Sequence, residues 1–214
     1  MTKVYLEIGD KKTFACAVDW PGWCRSGKTE QDALDTLAAY AERFAPVAEL
    51  AGVRFPKSAA KLEVVERVEG SATTDFGAIG AVADADRQPL TKAGADRLAR
   101  IVEASWAVFD RVAAAAPAEL RKGPRGGGRD RDKMIDHVIG AETAYVRKIG
   151  LKFKQPDIAD RQAIEENRAA ILETLRAARQ PEPDLPKGWP YRFAARRIAW
   201  HALDHAWEMQ DRSD

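Results

Sequence analysis

The N-terminal part of the chain has the hydrophobic period of a small sheet. Every second residue is apolar over residues 4–8 and again over 14–18, with turn-forming residues between them. This alternation is typical of half-buried strands, so a β-hairpin is predicted. Apolar residues recur at helical spacing after Thr29, so a helix is predicted there, and threonine is a good N-cap residue for it. A further strand is predicted over residues 61–69.

Four stretches in the second half of the chain are apolar at every third or fourth residue. This spacing places the apolar side chains of each stretch along one face of a helix. Four amphipathic helices of similar length are predicted to form a bundle, because each apolar face needs a partner. The four helices are predicted over residues 91–115, 130–149, 160–179 and 190–211.

The two patterns divide the chain into an α+β part and a helical part. We predict an α+β domain at residues 1–70 and an all-α four-helix bundle at 91–214, so the protein is mainly α overall. Residues 71–90 are mostly small and show no clear period, and a connecting segment is expected there. Segments of this length without regular structure often pack over a site or carry function.

The last predicted helix has two apolar faces. One face carries two histidines, and Trp200, Leu203 and Trp207 form a separate stripe on another side. A helix at the surface of a bundle needs only one apolar face. We therefore expect the tryptophan stripe to be covered by the N-terminal part or by a second copy of the chain. The alternative is a pair of partly exposed tryptophans.

Composition and charge exclude several classes of partner. Hydrophobic residues make up 45% of the chain and charged residues 31%, and the formal net charge is +1. No overall field would attract nucleic acid or a membrane surface. Neither a signal peptide nor a membrane-spanning stretch is predicted. Cys16 and Cys24 fit neither a C-x-x-C pair nor a disulfide framework. We expect a cytoplasmic protein with reduced thiols, and a homodimer stays open.

The chain's only three histidines are the strongest candidates for chemistry. His201 and His205 are four residues apart in the last predicted helix, so their imidazoles share one face. His137 lies in the second predicted helix, which can face the last one in a bundle. We predict that the three bind one divalent ion of zinc, nickel or iron. Three protein ligands leave a position for water or substrate, as in catalytic sites. The alternative is hydrogen-bonded core histidines.

Three arginines are candidates for contacts with an anionic group of the substrate. Arg125 and Arg129 lie in a glycine-rich loop between the first two predicted helices, and Arg197 lies in the last. Cations and backbone N–H groups together hold carboxylates and phosphates. The alternatives are a solvated turn for the loop and, for Arg197, a surface ion pair with Asp204 or Glu208.

A histidine in the second helix and an H-x-x-x-H motif in the fourth, carried by His137, His201 and His205, resemble the DinB-like superfamily of four-helix metal-binding proteins. The likeness covers about residues 90–212. It implies a divalent metal at one end of a bundle. Characterised members include thiol-dependent transferases and isomerases. The reaction does not carry over from the resemblance, and the leading hypothesis is an enzyme in which the metal activates water or a low-molecular-weight thiol for reaction with a small molecule. A non-catalytic metal-stabilised binding or regulatory module is the alternative.

A second resemblance concerns the N-terminal part. The sequence D-W-P-G-W at residues 19–23, followed by Gly27-Lys28-Thr29 and Ala33-Leu34, resembles the HicB-like antitoxin domain. The likeness covers about residues 3–50 and implies a small sheet with a helix. No DNA-binding segment of the antitoxin type is recognisable, so only the fold is expected to carry over. A regulator of that class would bind a small basic partner protein.

Overall fold

The predicted hairpin lies at the centre of a four-stranded sheet. The computed structural model describes residues 1–123 and 128–213. Strands β1 and β2 pair antiparallel as predicted, β3 adds antiparallel to β2, and β4 pairs parallel with β1. A parallel pair needs a crossover, which helices α1 and α2 provide. The elements are β1 (Thr2–Ile8), β2 (Thr13–Ala17), β3 (Cys24–Gly27), α1 (Glu30–Ala39), α2 (Ala41–Leu50) and β4 (Leu62–Glu69).

Two details of this part differ from the sequence-based prediction. Strand β3 was not predicted; it begins at Cys24, which lies directly opposite Cys16. Strand β3 is short and has no alternation of apolar residues, so no period marks it. The helix expected after Thr29 is in fact two helices that meet at Tyr40. The predicted cap at Thr29 is confirmed, since its side chain accepts a hydrogen bond from the Asp32 amide.

The second half of the described chain forms four long helices close to their predicted bounds. Helix α4 packs against α6 and α7, and α5 packs against α7, so α7 has neighbours on several sides. The last four residues predicted for the second helix form a 3-10 turn, Val146–Ile149. None of the helices in the described residues is long and apolar enough to cross a bilayer. The helices are α4 (Lys92–Ala115), α5 (Arg131–Tyr145), α6 (Arg161–Ala177) and α7 (Tyr191–Asp211).

The tryptophan stripe of α7 is covered by the N-terminal part of the same chain. Trp200 packs edge-on against Phe14 of β2, with ring centroids 5.8 Å apart. Trp207 packs against Tyr40 at 5.1 Å. Both tryptophans are buried, so the prediction that this face is covered is confirmed. Buried residues from the sheet, from α1 and α2 and from the long helices belong to one continuous core.

The segment at 71–90 contains a short helix, α3 (Ala72–Phe76), and a 3-10 turn, Asp84–Arg87. Its first half is fixed to the sheet by a buried carboxylate. Glu7 of β1 is fully buried and accepts hydrogen bonds from the Thr74 hydroxyl and the Gly80 amide. The first half of the segment is therefore packed against the sheet.

A buried ion pair fixes the second half of this segment to α7. The two Asp86 carboxylate oxygens lie 2.6 and 2.7 Å from Nη1 of Arg196. Both side chains are almost completely buried. An ion pair withdrawn from water needs such close contact to offset the loss of hydration. The segment is thus held between the sheet and α7, and one of its faces borders the histidines.

Candidate metal centre

The three histidines converge between α5 and α7. The ring centroids of His201 and His205 are 4.7 Å apart, and the centroid of His137 lies 4.9 Å from that of His201 and 5.0 Å from that of His205. One ring nitrogen of each residue lies within 4.8 Å of the other two. Nitrogen ligands of one tetrahedral zinc lie about 3.4 Å apart, given Zn–N bonds of about 2.0–2.1 Å. The predicted cluster is therefore confirmed, and small side-chain rotations would allow it to bind one metal ion.

Hydrogen bonds on the outer side of the cluster suit this role. Nδ1 of His205 lies 2.9 Å from a Glu208 carboxylate oxygen, and an Nδ1–H that donates to it leaves Nε2 as the nitrogen that can bind a metal. Arg212 donates to the other oxygen of Glu208 at 2.6 Å. Nδ1 of His201 is buried without a hydrogen-bond partner in the described part of the chain. A buried nitrogen without a partner is unfavourable, and metal coordination by the cluster would account for this arrangement.

The electrostatic environment keeps two of the imidazoles neutral. Burial, and then the charges of His205 and His137, lowers the pKa of His201 to about 2. Burial, and then the charge of Arg129, lowers the pKa of His137 to about 4. Only the neutral imidazole has a free lone pair for a metal. Both residues are therefore in their metal-binding protonation state at neutral pH.

A cleft of about 480 Å³ opens beside the histidines. One wall is formed by residues 72–78 of the predicted connecting segment. The opposite wall is formed by α5 and α7, and Tyr145 and Trp200 contribute aromatic rings to it. The volume lies in the range of pockets that bind small molecules. The histidine cluster therefore borders a space that a small substrate could enter.

Arg197 lines this cleft and is buried, with 9% of its surface exposed. The alternative of a surface ion pair with Asp204 or Glu208 is wrong. Asp204 pairs instead with Arg25 at 2.7 Å, and Glu208 is engaged by Arg212 and a histidine. The reason is tertiary: its guanidinium donates to the carbonyl oxygen of Ile79 and lies over the rings of Tyr145 and Trp200, so the side chain is enclosed.

The other predicted anion contacts differ in position. Arg129 is exposed and lines the rim of the cleft. Arg125 lies outside the described residues. Glu142 of α5 does not line this cleft; it is buried, with Oε2 3.7 Å from Nε of Arg168. Sequence reasoning missed Glu208 as the partner of a histidine, although its position three residues after His205 was a usable signal.

Comparison with known proteins adds no relative. No family model matches the chain, and no curated protein or solved structure is significantly similar to it. The DinB-like and HicB-like resemblances therefore stay predictions from sequence motifs. The function has to be argued from the histidine cluster and the cleft beside it.

Proposed function

We propose that the protein is a metal-dependent enzyme of the DinB-like type, in which α4 to α7 form the four-helix bundle. The observation that carries the proposal is the convergence of His137, His201 and His205 at the edge of a small-molecule cleft. A divalent ion bound there would act as a Lewis acid that lowers the pKa of water or of a low-molecular-weight thiol. The reaction class is hydrolysis or thiol transfer on a small molecule.

The residues around the cluster support an open, catalytic site over a closed, structural one. Structural zinc is normally enclosed by four protein ligands. Within residues 1–123 and 128–213, no fourth histidine, cysteine or carboxylate joins the cluster. The cleft lies beside the three imidazoles, so a coordination position left open on a bound ion could be reached by a small molecule. This feature favours an enzyme over the alternative, a non-catalytic metal-stabilised module.

Each neighbouring side chain has a definite task in the proposed reaction. Glu208 accepts from Nδ1 of His205 and thereby fixes the tautomer that presents Nε2. Residues 72–78 and Trp200 limit the access of bulk water from one side. A drier site strengthens electrostatic interactions with a developing negative charge. The guanidinium of Arg197 provides a fixed positive charge in the same cleft.

The first test is elemental analysis of the purified protein and of single variants. We expect about one equivalent of a divalent metal per chain in the wild type. His201→Ala and His205→Ala should lose most of it, because each removes one of three ligands. Tyr145→Phe is the matched control, since it alters a ring that lines the cleft and keeps all three imidazoles. Circular dichroism checks that each variant is folded.

The proposal fails if the metal-free wild type takes up no zinc, nickel or iron(II), or if the triple alanine variant binds metal as the wild type does. X-ray absorption spectroscopy of the loaded protein then separates enzyme from module. An exchangeable oxygen or sulfur ligand beside three nitrogens supports the enzyme. A fourth ligand from the protein supports the module.

A further inference from the structure

Arg197 carries a buried positive charge that has no acidic partner in the described residues. No carboxylate oxygen there lies within 4.0 Å of its guanidinium, whereas the adjacent Arg196 is paired closely with Asp86. One Nη of Arg197 donates to the carbonyl oxygen of Ile79, and Nε is buried without a partner. Charges are rarely buried without a counter-charge, because the loss of hydration is then uncompensated. Arg197 therefore lacks, in the described residues, the kind of counter-charge that Asp86 provides for Arg196.

Two aromatic rings hold this guanidinium close to the histidine cluster. Its central carbon lies 5.0 Å from the ring centre of Tyr145 and 5.2 Å from that of Trp200. Both rings neighbour His201, with centroid separations of 5.7 and 6.0 Å. Cation–π contacts and the bond to Ile79 restrict the orientation of the fork. The charge is therefore pre-organised beside the cluster before any ligand arrives.

The acidic groups nearby are engaged elsewhere. Burial raises the pKa of the Glu7 carboxyl, and the charge of Arg197 lowers it by less. Its oxygens already accept hydrogen bonds from the 71–80 segment. Asp204, which lines the cleft, is paired with Arg25. Arg129 at the rim adds a second positive charge, so the cleft itself favours an anion.

An exposed aromatic ring lies at the mouth of the same cleft. Phe76, at the end of α3, is 86% exposed and lines the opening. Gly77 ends the helix in the left-handed conformation, with φ 111°, which only glycine adopts readily. The bond between the Thr74 hydroxyl and Glu7 holds α3 on the sheet, so the position of Phe76 is set by the fold. A ligand with an apolar part would cover this ring.

We propose that the cleft binds a small organic anion, in which one carboxylate or similar oxyanion pairs with Arg197 and a flat apolar part packs against Phe76. This inference rests on the proposed function for the reaction, because it names the substrate class of the same site. Recognition of the anion by Arg197 is a separate contribution from metal coordination. Loss of the metal and loss of anion recognition are therefore distinguishable.

Benzoate and benzamide form a matched pair of probes for this proposal, because they share shape and differ in charge. Titration calorimetry of the purified protein should give millimolar binding of benzoate, as expected for a ligand of this size, and at least about tenfold weaker binding of benzamide. Arg197→Gln should weaken benzoate by at least about tenfold, since a charge-assisted hydrogen bond is lost, and leave benzamide unchanged. Arg197→Lys should recover part of the affinity.

Arg67→Gln is the matched control, because Arg67 pairs with Glu30 on the exposed surface, and it should bind benzoate like the wild type. Phe76→Ser changes an exposed side chain, so the protein should fold, and it should weaken both probes several-fold. His201→Ala removes one of the three proposed metal ligands. Its preference for benzoate over benzamide should persist, because the carboxylate pairs with Arg197 and not with the metal. The proposal is overturned if benzoate does not bind, if both probes bind equally to the wild type, or if folded Arg197→Gln keeps the preference.

Discussion

Acidification should destabilise the metal-free protein through His201. This imidazole is only 7% exposed, and burial together with nearby imidazole charges lowers its pKa to about 2. In the unfolded chain its pKa is about 6.5. Between these two values the unfolded chain binds a proton that the folded protein excludes, so the free energy of unfolding falls as the pH falls. At about pH 5, roughly 1.5 units below the unfolded pKa, the expected loss from this group is about 2 kcal/mol.

Equilibrium urea unfolding of the chelator-treated protein measures this loss. The free energy of unfolding is compared at about pH 8 and about pH 5 for the wild type and for His201→Gln. Glutamine is polar and of similar size but does not titrate, so the contributions of distant groups cancel in the difference. The wild type should lose about 2 kcal/mol more than the variant over this interval. Equal losses in the two proteins would refute the conclusion that the folded protein keeps His201 neutral.

Three further predictions concern buried groups elsewhere in the fold, and each is measured by urea unfolding. Burial raises the pKa of Glu142 from 4.5 to about 7. Between these pH values the free energy of unfolding should fall as the pH rises, by about 3 kcal/mol relative to Glu142→Gln, and parallel pH profiles of the two proteins would contradict this. Arg196→Met should cost about 3–5 kcal/mol because it leaves Asp86 buried and unpaired, and adding Asp86→Leu should restore most of it. Gly22→Ala should lower the free energy of unfolding by about 1–3 kcal/mol, because φ is 93° and an added Cβ would lie 2.8 Å from Leu203. An unchanged urea midpoint would contradict this strain.

Local patterns in the sequence predicted most of the secondary structure. The hairpin and the four long helices follow from periods of two and of about 3.6 residues, which depend on near neighbours along the chain. The shared face of His201 and His205 follows from the geometry of one helix in the same way. The sequence also predicted that the tryptophan stripe of α7 would be covered, because a second apolar face cannot stay in water without cost. Strand β3 was missed because its four residues carry no period.

Tertiary packing decided the features that make the cluster a site. His137 reaches the pair on α7 only because α5 packs against that helix. Arg197 is enclosed because residues 71–90, which have no period of their own, are held by Glu7 of the sheet and by the Asp86 ion pair. Such contacts join residues far apart in the chain, and their free energy depends on how the whole core packs. A local period shows which face of a helix is buried. Which side chains pack against that face depends on how the whole core is arranged.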